Sequence, residues 1–175
     1  MRVWVGIRRA VAGAALLCLA VPALTQPTDT SVKAAFLPRF ARYVTWPPAA
    51  MPRGADPFQL CVIGSDPFGP MLDDAAGSQL VDGRRITVRR MDSATGADSC
   101  QIAFVSGSRA GQLLTTIGRR PVLTVTDSAS GGQRGIIHFT VVGGHVRFFI
   151  DQSAAAQRGL SISSRLLALA VGVRQ

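Results

Sequence analysis

A chain of 175 residues, 47 % of them hydrophobic, carries 19 Lys+Arg against 10 Asp+Glu for a formal charge of +9, and its length suits one domain with an adequate core. The positive excess is arginine: there is one lysine, Lys33, and no glutamate, a skew of base composition rather than a selected basic surface. The doublets Arg84-Arg85, Arg89-Arg90 and Arg119-Arg120 are scattered at strand and loop edges instead of being pooled with aromatics, which argues against a nucleic-acid-binding face; adhesion to anionic lipid or peptidoglycan stays open.

The first element is a targeting segment. Arg2, Arg8 and Arg9 precede an uncharged apolar run over residues 10–21, then Pro22 and the small residue Ala23. This is the layout of a secretory signal peptide, and the run is shorter than the roughly 20 residues of a membrane span. Cleavage after Ala23 or Thr25 is expected. Leu17 stands where a lipoprotein anchor at Cys18 would need a small residue, and the residues after Arg8-Arg9 match twin-arginine export poorly. Residues 1–25 therefore read as a bacterial export signal and 26–175 as a soluble domain of net charge +6.

In that domain Asp29, Thr30 or Ser31 is expected to cap a helix over residues 32–45. Phe36, Phe40, Tyr43 and Val44 share its apolar face, Pro38 kinks it, and Trp46-Pro47-Pro48 ends it. A proline-rich loop over 49–57 leads to a buried strand over 58–63. Gly64-Ser65-Asp66-Pro67-Phe68-Gly69 is a turn into a short helix over 70–76. Strands follow over 84–90, 101–106 and 121–126, with a helix over 108–117 and a Gly/Ser loop over 128–134. Residues 135–142 and 145–150 form a hairpin about Gly143-Gly144. Asp151 or Ser153 caps a short helix to Arg158, ended by Gly159. Ser161, Ser163 or Ser164 then caps a last helix whose Leu166, Leu167, Leu169, Ala170 and Val173 make a wide apolar face. This alternation predicts a single-domain α/β sandwich: a mixed, largely parallel central sheet flanked by helices, with the C-terminal β-hairpin at one edge and helices after it.

Little in the chain suits catalysis. His138 and His145 sit on the two arms of one hairpin, and no GxSxG elbow, Walker loop or zinc-ligand spacing occurs. A hydrolase would need one of those histidines to meet an aspartate in a cleft. The expectation is a non-enzyme without metal or cofactor. Two binding features stand out. The turn holding Ser65, Asp66 and Gly69 either offers amides to an anion or is a plain turn. Cys61 and Cys100, an even pair in an exported domain, read as a disulfide stabilising the fold by about 4 kcal/mol, or else as two buried thiols.

Three blocks carry a resemblance. The first is Val32-Lys33-Ala34-Ala35-Phe36-Leu37-Pro38-Arg39-Phe40-Ala41-Arg42-Tyr43-Val44-Thr45-Trp46-Pro47. The second is Leu60-Cys61-Val62-Ile63-Gly64-Ser65-Asp66-Pro67-Phe68-Gly69. The third spans residues 147–170, with Ile162-Ser163-Ser164-Arg165-Leu166-Leu167. Together with Cys100 and Pro121-Val122-Leu123-Thr124-Val125-Thr126-Asp127 they are similar, in order, to the YfiR-like family of exported bacterial proteins, over essentially the whole mature chain. The resemblance implies a periplasmic α/β protein without known catalysis. Such a protein binds the periplasmic sensor region of an inner-membrane diguanylate cyclase and represses it, tends to form a homodimer, and is relieved by an outer-membrane or peptidoglycan-binding lipoprotein. It also implies a Cys61–Cys100 bridge. A second cysteine pair of some members has no counterpart here, and Pro38 replaces the usual tyrosine, so neither a disulfide switch nor that aromatic's contacts carry over.

On this reading Arg39 and Arg42 on the outer face of the first helix, Trp46 after its end and Arg165 on the last helix are the expected partner contacts. The alternative for Trp46 is packing under the proline loop, and for Arg165 a solvated charge. The runner-up function is a periplasmic small-ligand-binding module of an uptake or sensor-kinase system. That version predicts a pocket of converging polar groups, where a repressor predicts an exposed apolar patch.

Overall fold

The computed structural model describes residues 27–175. The export signal expected over residues 1–25 lies outside the described residues, and among those described no helix is long and apolar enough to cross a membrane. Helix α1 (Asp29–Phe40) starts earlier than expected because Thr28, not a residue of the Asp29-Thr30-Ser31 triplet, is its cap: Thr28 Oγ1 accepts the Ser31 amide at 3.2 Å, and Asp29 sits in the positive first turn. It also ends earlier. Pro38 has no N–H for the Ala34 carbonyl; the helix survives it by two residues, tightens into a 3₁₀ turn over Ala41–Tyr43, and becomes extended at β1 (Val44–Thr45). The expected helical Val44 and Thr45 are thus strand residues, because they pair with a segment near the C-terminus.

The chain continues through β2 (Phe58–Gly64), α2 (Pro70–Gly77), β3 (Leu80–Val81), β4 (Arg84–Met91), β5 (Ile102–Ser106), α3 (Ala110–Ile117), β6 (Leu123–Thr126), β7 (Ile137–Val142) and β8 (His145–Asp151). It closes with α4 (Gln152–Ala156), β9 (Ser161–Ile162), α5 (Ser164–Leu169) and β10 (Gly172–Arg174). Eight strands form one mixed sheet in the order β10-β8-β7-β6-β5-β2-β4-β3, and β1 pairs antiparallel with β9. The run from β4 through β2, β5 and β6 to β7 is parallel. Its central strands are apolar on both faces, as burial between helical layers requires. Leu60, Val62, Ile102 and Phe104 belong to the core beneath α1 and α2, whereas Cys61, Ile63, Ala103 and Val105 belong to the core beneath α3. On the α1 side Phe36 and Phe40 meet Phe139 and Phe148 of the β7–β8 hairpin, with ring centres 5.4–6.3 Å apart across the helix–sheet contact; aromatic pairs of this geometry add to the energy of simple burial.

The mixed, mostly parallel sandwich is the expected one; its edges are not. The expected opening of the strand at Gly83 is the second half of a two-residue hairpin turn. Asp82 and Gly83 have φ of 48° and 77°, the left-handed pair such a turn needs, and they join β3 to β4. The β7–β8 hairpin is interior rather than at the edge, because β10 pairs parallel outside it. The last helix is short for the same reason. Leu166 is 2 % exposed, but Leu169 is 58 % and Val173 37 % exposed, so the expected wide apolar face is divided between a helix, an extended residue and a strand.

Candidate functional site

The turn after β2 closes on itself. Asp66 Oδ1 accepts the amides of Phe68 and Gly69 at 2.8 and 3.3 Å, and the Ser65 amide donates to the Ser106 carbonyl. The amides of Phe68 and Gly69 are therefore already engaged by the chain's own carboxylate. Asp66 Oδ2 in turn takes Arg90 Nε at 2.7 Å, while the Arg90 guanidinium forks onto both oxygens of Asp73 at 3.1 and 2.7 Å. These bonds hold the Asp73 carboxyl below its ordinary range and raise the Arg90 guanidinium further, Asp73 first and Asp66 second. Arg90 thus ties β4 to the turn and to α2. The sequence shows only a charged doublet there, since nothing local says which carboxylates a strand residue will meet.

Trp46 is inside the fold. It is 5 % exposed, its indole N–H donates to the Gln101 carbonyl at 3.0 Å, and its ring stands edge-on to Phe58 at 5.2 Å. Gln101, which sequence reasoning missed, is itself buried; its side chain accepts the Gln59 amide at 2.8 Å and donates to the Ala50 carbonyl at 2.9 Å. The proline loop is thereby stitched to β2 and to the entrance of β5. One residue earlier, Cys100 is bonded to Cys61, with Cα atoms 5.9 Å apart and both residues buried.

Arg39, Arg42 and Arg165 are all exposed, and among the described residues none of the three makes a salt bridge. The β1–β9 ladder pairs Val44 with Ile162 and Thr45 with Ser161, and the Ser163 amide donates to the Tyr43 carbonyl at 2.8 Å. The end of α1 and the start of α5, far apart in sequence, therefore share one corner. The local sequence holds no acid between Asp29 and Asp56 and none after Asp151. Exposed Leu169 lies four residues after Arg165, on the same side of α5. A groove of ≈ 710 Å³ runs beside Arg42, lined among others by Met51, Leu80 and Asp82.

A polar network links the far ends of the parallel strands. Lys33 of α1 contacts Asp127 Oδ2 at 2.8 Å, both largely buried. Asp127 Oδ1 caps the following 3₁₀ turn through the Ala129 amide, and Ser130 Oγ donates to the Val105 carbonyl. Next to it Thr126 Oγ1 accepts the Gly135 amide at 2.9 Å and lies 2.9 Å from His138 Nδ1. The Thr126 oxygen has a second lone pair, so its contact with Nδ1 fits either imidazole tautomer; when the hydroxyl gives its proton to Nδ1, the ring N–H sits on Nε2. Burial pushes the His138 pKa down, Arg134 adds to this, and Asp127 opposes it. The folded-state pKa lies below the unfolded value of about 6.5, so the unfolded chain binds the extra proton first. This contribution to stability is present above about pH 6.5 and is lost as pH falls towards the folded-state pKa. The thermal midpoint should accordingly drop on acidification through that window and drop less in His138→Gln, as differential scanning calorimetry of both proteins from roughly pH 7.5 to 5 would register. Among the described residues neither histidine hydrogen-bonds a carboxylate, and no three His, Cys or acidic side chains converge as metal ligands would.

The family model described as YfiR/HmsC-like matches residues 30–171. No curated protein matches the chain.

Proposed function

The chain belongs to the YfiR/HmsC-like family, and from that premise we propose that it is an exported regulator that binds the periplasmic sensor region of an inner-membrane diguanylate cyclase and represses it. Residues 1–25 serve as the export signal, and residues 26–175 form the regulatory domain. The observation that carries the reading is the corner where α1, β1, β9 and α5 meet. Arg39, Arg42 and Arg165 stand there exposed and, among the described residues, without salt bridges, with Leu169 and Leu80 exposed nearby. An arginine not engaged within its own chain is a preorganised donor for a partner carboxylate, and exposed leucines supply apolar contact beside it. The partner surface therefore carries acidic residues around an apolar centre. A homodimer, and release by an outer-membrane or peptidoglycan-binding lipoprotein, belong to the same proposal.

The test is the level of cyclic di-GMP in the native bacterium. Deletion of the gene should raise it. The exported protein should restore it, and a version lacking residues 1–25 should not. The triple variant Arg39→Glu, Arg42→Glu, Arg165→Glu should melt as the parent does, because all three side chains are in solvent, yet fail to restore repression. Unchanged cyclic di-GMP on deletion, across growth and redox conditions, would overturn the proposal.

A further inference from the structure

On the sheet face opposite α1, β7, β8 and β10 leave a groove of ≈ 470 Å³ lined by Arg134, His138, Phe149, Asp151, Gly172 and Arg174 among others. The strand register builds it. Thr126, His138, Phe149 and Gly172 follow one another across β6, β7, β8 and β10, and Asp151 pairs with Arg174 in the same ladder. Gly172 matters here for what it lacks. A Cβ at that position would come within 2.8 Å of the Phe149 ring, so the ring leans over the glycine, away from the strand carrying His138.

His138 is only 8 % exposed. Its Nδ1 is engaged by Thr126, and its Nε2 has no protein partner among the described residues and is open to solvent. With the Thr126 hydroxyl donating to Nδ1, Nε2 carries the N–H and offers a donor to an acceptor in the groove. Arg134, 5.2 Å from the Phe149 ring centre, stands beside it, and Arg174 is bonded to Asp151. The lining carries Arg134 and Arg174 against Asp151, and Arg158 also acts on Asp151, so the groove is net positive. A planar carboxylate, with two oxygens on one carbon, matches a pair of donors made of one imidazole nitrogen and one guanidinium.

We propose that this groove binds a small organic carboxylate, its oxygens taken by His138 Nε2–H and the Arg134 guanidinium and its apolar or planar part lying against Phe149. The site is independent of the arginine corner and of any cyclase, so either proposal can fail without the other.

Binding to the purified domain of residues 26–175 is measured by calorimetric titration, with ¹⁵N shifts of the His138 ring as a second readout. The probes are benzoate, benzamide and phenyl phosphate. Benzoate should bind and move the Nε2 signal, with benzamide and phenyl phosphate each at least about tenfold weaker. Arg134→Ala, a change at an exposed loop residue, should weaken benzoate by a similar factor with an unchanged melt. Gly172→Ala, which pushes the Phe149 ring back into the groove, should abolish binding. Equal affinity for benzoate and benzamide, indifference to Arg134→Ala, tighter binding of phenyl phosphate, or no binding by any probe would overturn the assignment.

Discussion

Replacing Trp46 by alanine should lower the stability of the domain by about 3–5 kcal/mol, the usual cost of removing a large buried aromatic. The ring is packed edge-on against Phe58, and the space it leaves is bounded by β2 and by the loop that Gln101 ties down. Neither wall is free to collapse into it. The substitution also removes the indole donor from the Gln101 carbonyl, which keeps the Leu123 amide at 2.9 Å, so the lost hydrogen bond adds only about 0.5–1.5 kcal/mol. Trp46→Phe separates the two contributions: it keeps most of the apolar area, loses the hydrogen bond, and should fall between parent and Trp46→Ala. Urea unfolding of the three proteins measures this. An unchanged urea midpoint for Trp46→Ala, with partner binding lost, would instead make Trp46 a surface anchor and contradict its burial. Small domains are stable by only about 5–15 kcal/mol, so the expected loss is a large share of the total.

The second large effect is removal of the Cys61–Cys100 bond. The double variant Cys61→Ala, Cys100→Ala should lose about 4 kcal/mol, the chain-entropy value for a closed loop of roughly 40 residues. The bond joins β2 to the residue that leads into β5, strands that are neighbours in the sheet anyway. Its effect is therefore chiefly on the unfolded chain, which without it is free to expand. Two readings follow. The urea midpoint should fall, and the slope of the unfolding free energy against urea should rise, because more surface is exposed on unfolding. Since both cysteines are at most 1 % exposed, reductant should act on the native protein only at the rate at which it opens. A double variant that unfolds like the parent would mean that the loop is already constrained in the unfolded state.

Much of the architecture was legible before any coordinates. The strands around Leu60 and Phe104 announce themselves as short, mainly apolar runs between turn residues, because a parallel strand buried on both faces is filled chiefly by apolar side chains. The Gly143-Gly144 turn, the Asp151 cap and the capping Ser163 are local chemistry within a few residues of chain, and local chemistry is what a sequence displays. The even cysteine pair pointed to the bond that the structure contains.

What tertiary structure alone decided is everything that depends on a distant partner. Strands β1, β3, β9 and β10 are two or three residues long; so short a segment has no periodicity of its own and is extended only because another strand's amides and carbonyls are there to meet it. The pairing of Val44 with Ile162 turned an expected helix end into a strand and carried Arg165 to the corner of Arg39 and Arg42. The same dependence holds for single side chains. Trp46 after a helix end reads equally as an anchor or as core until Gln101 and Phe58 close over it, Arg90 is one more charge until Asp66 and Asp73 flank it, and His138 is one alternating strand residue until Thr126 takes its Nδ1 and leaves its Nε2 open. The sequence by itself determined the kinds of element and the layers they form, since burial and capping are properties of neighbouring residues. Which side chains face one another was decided by the fold, since a hydrogen bond or an ion pair needs both of its ends within about 3 Å.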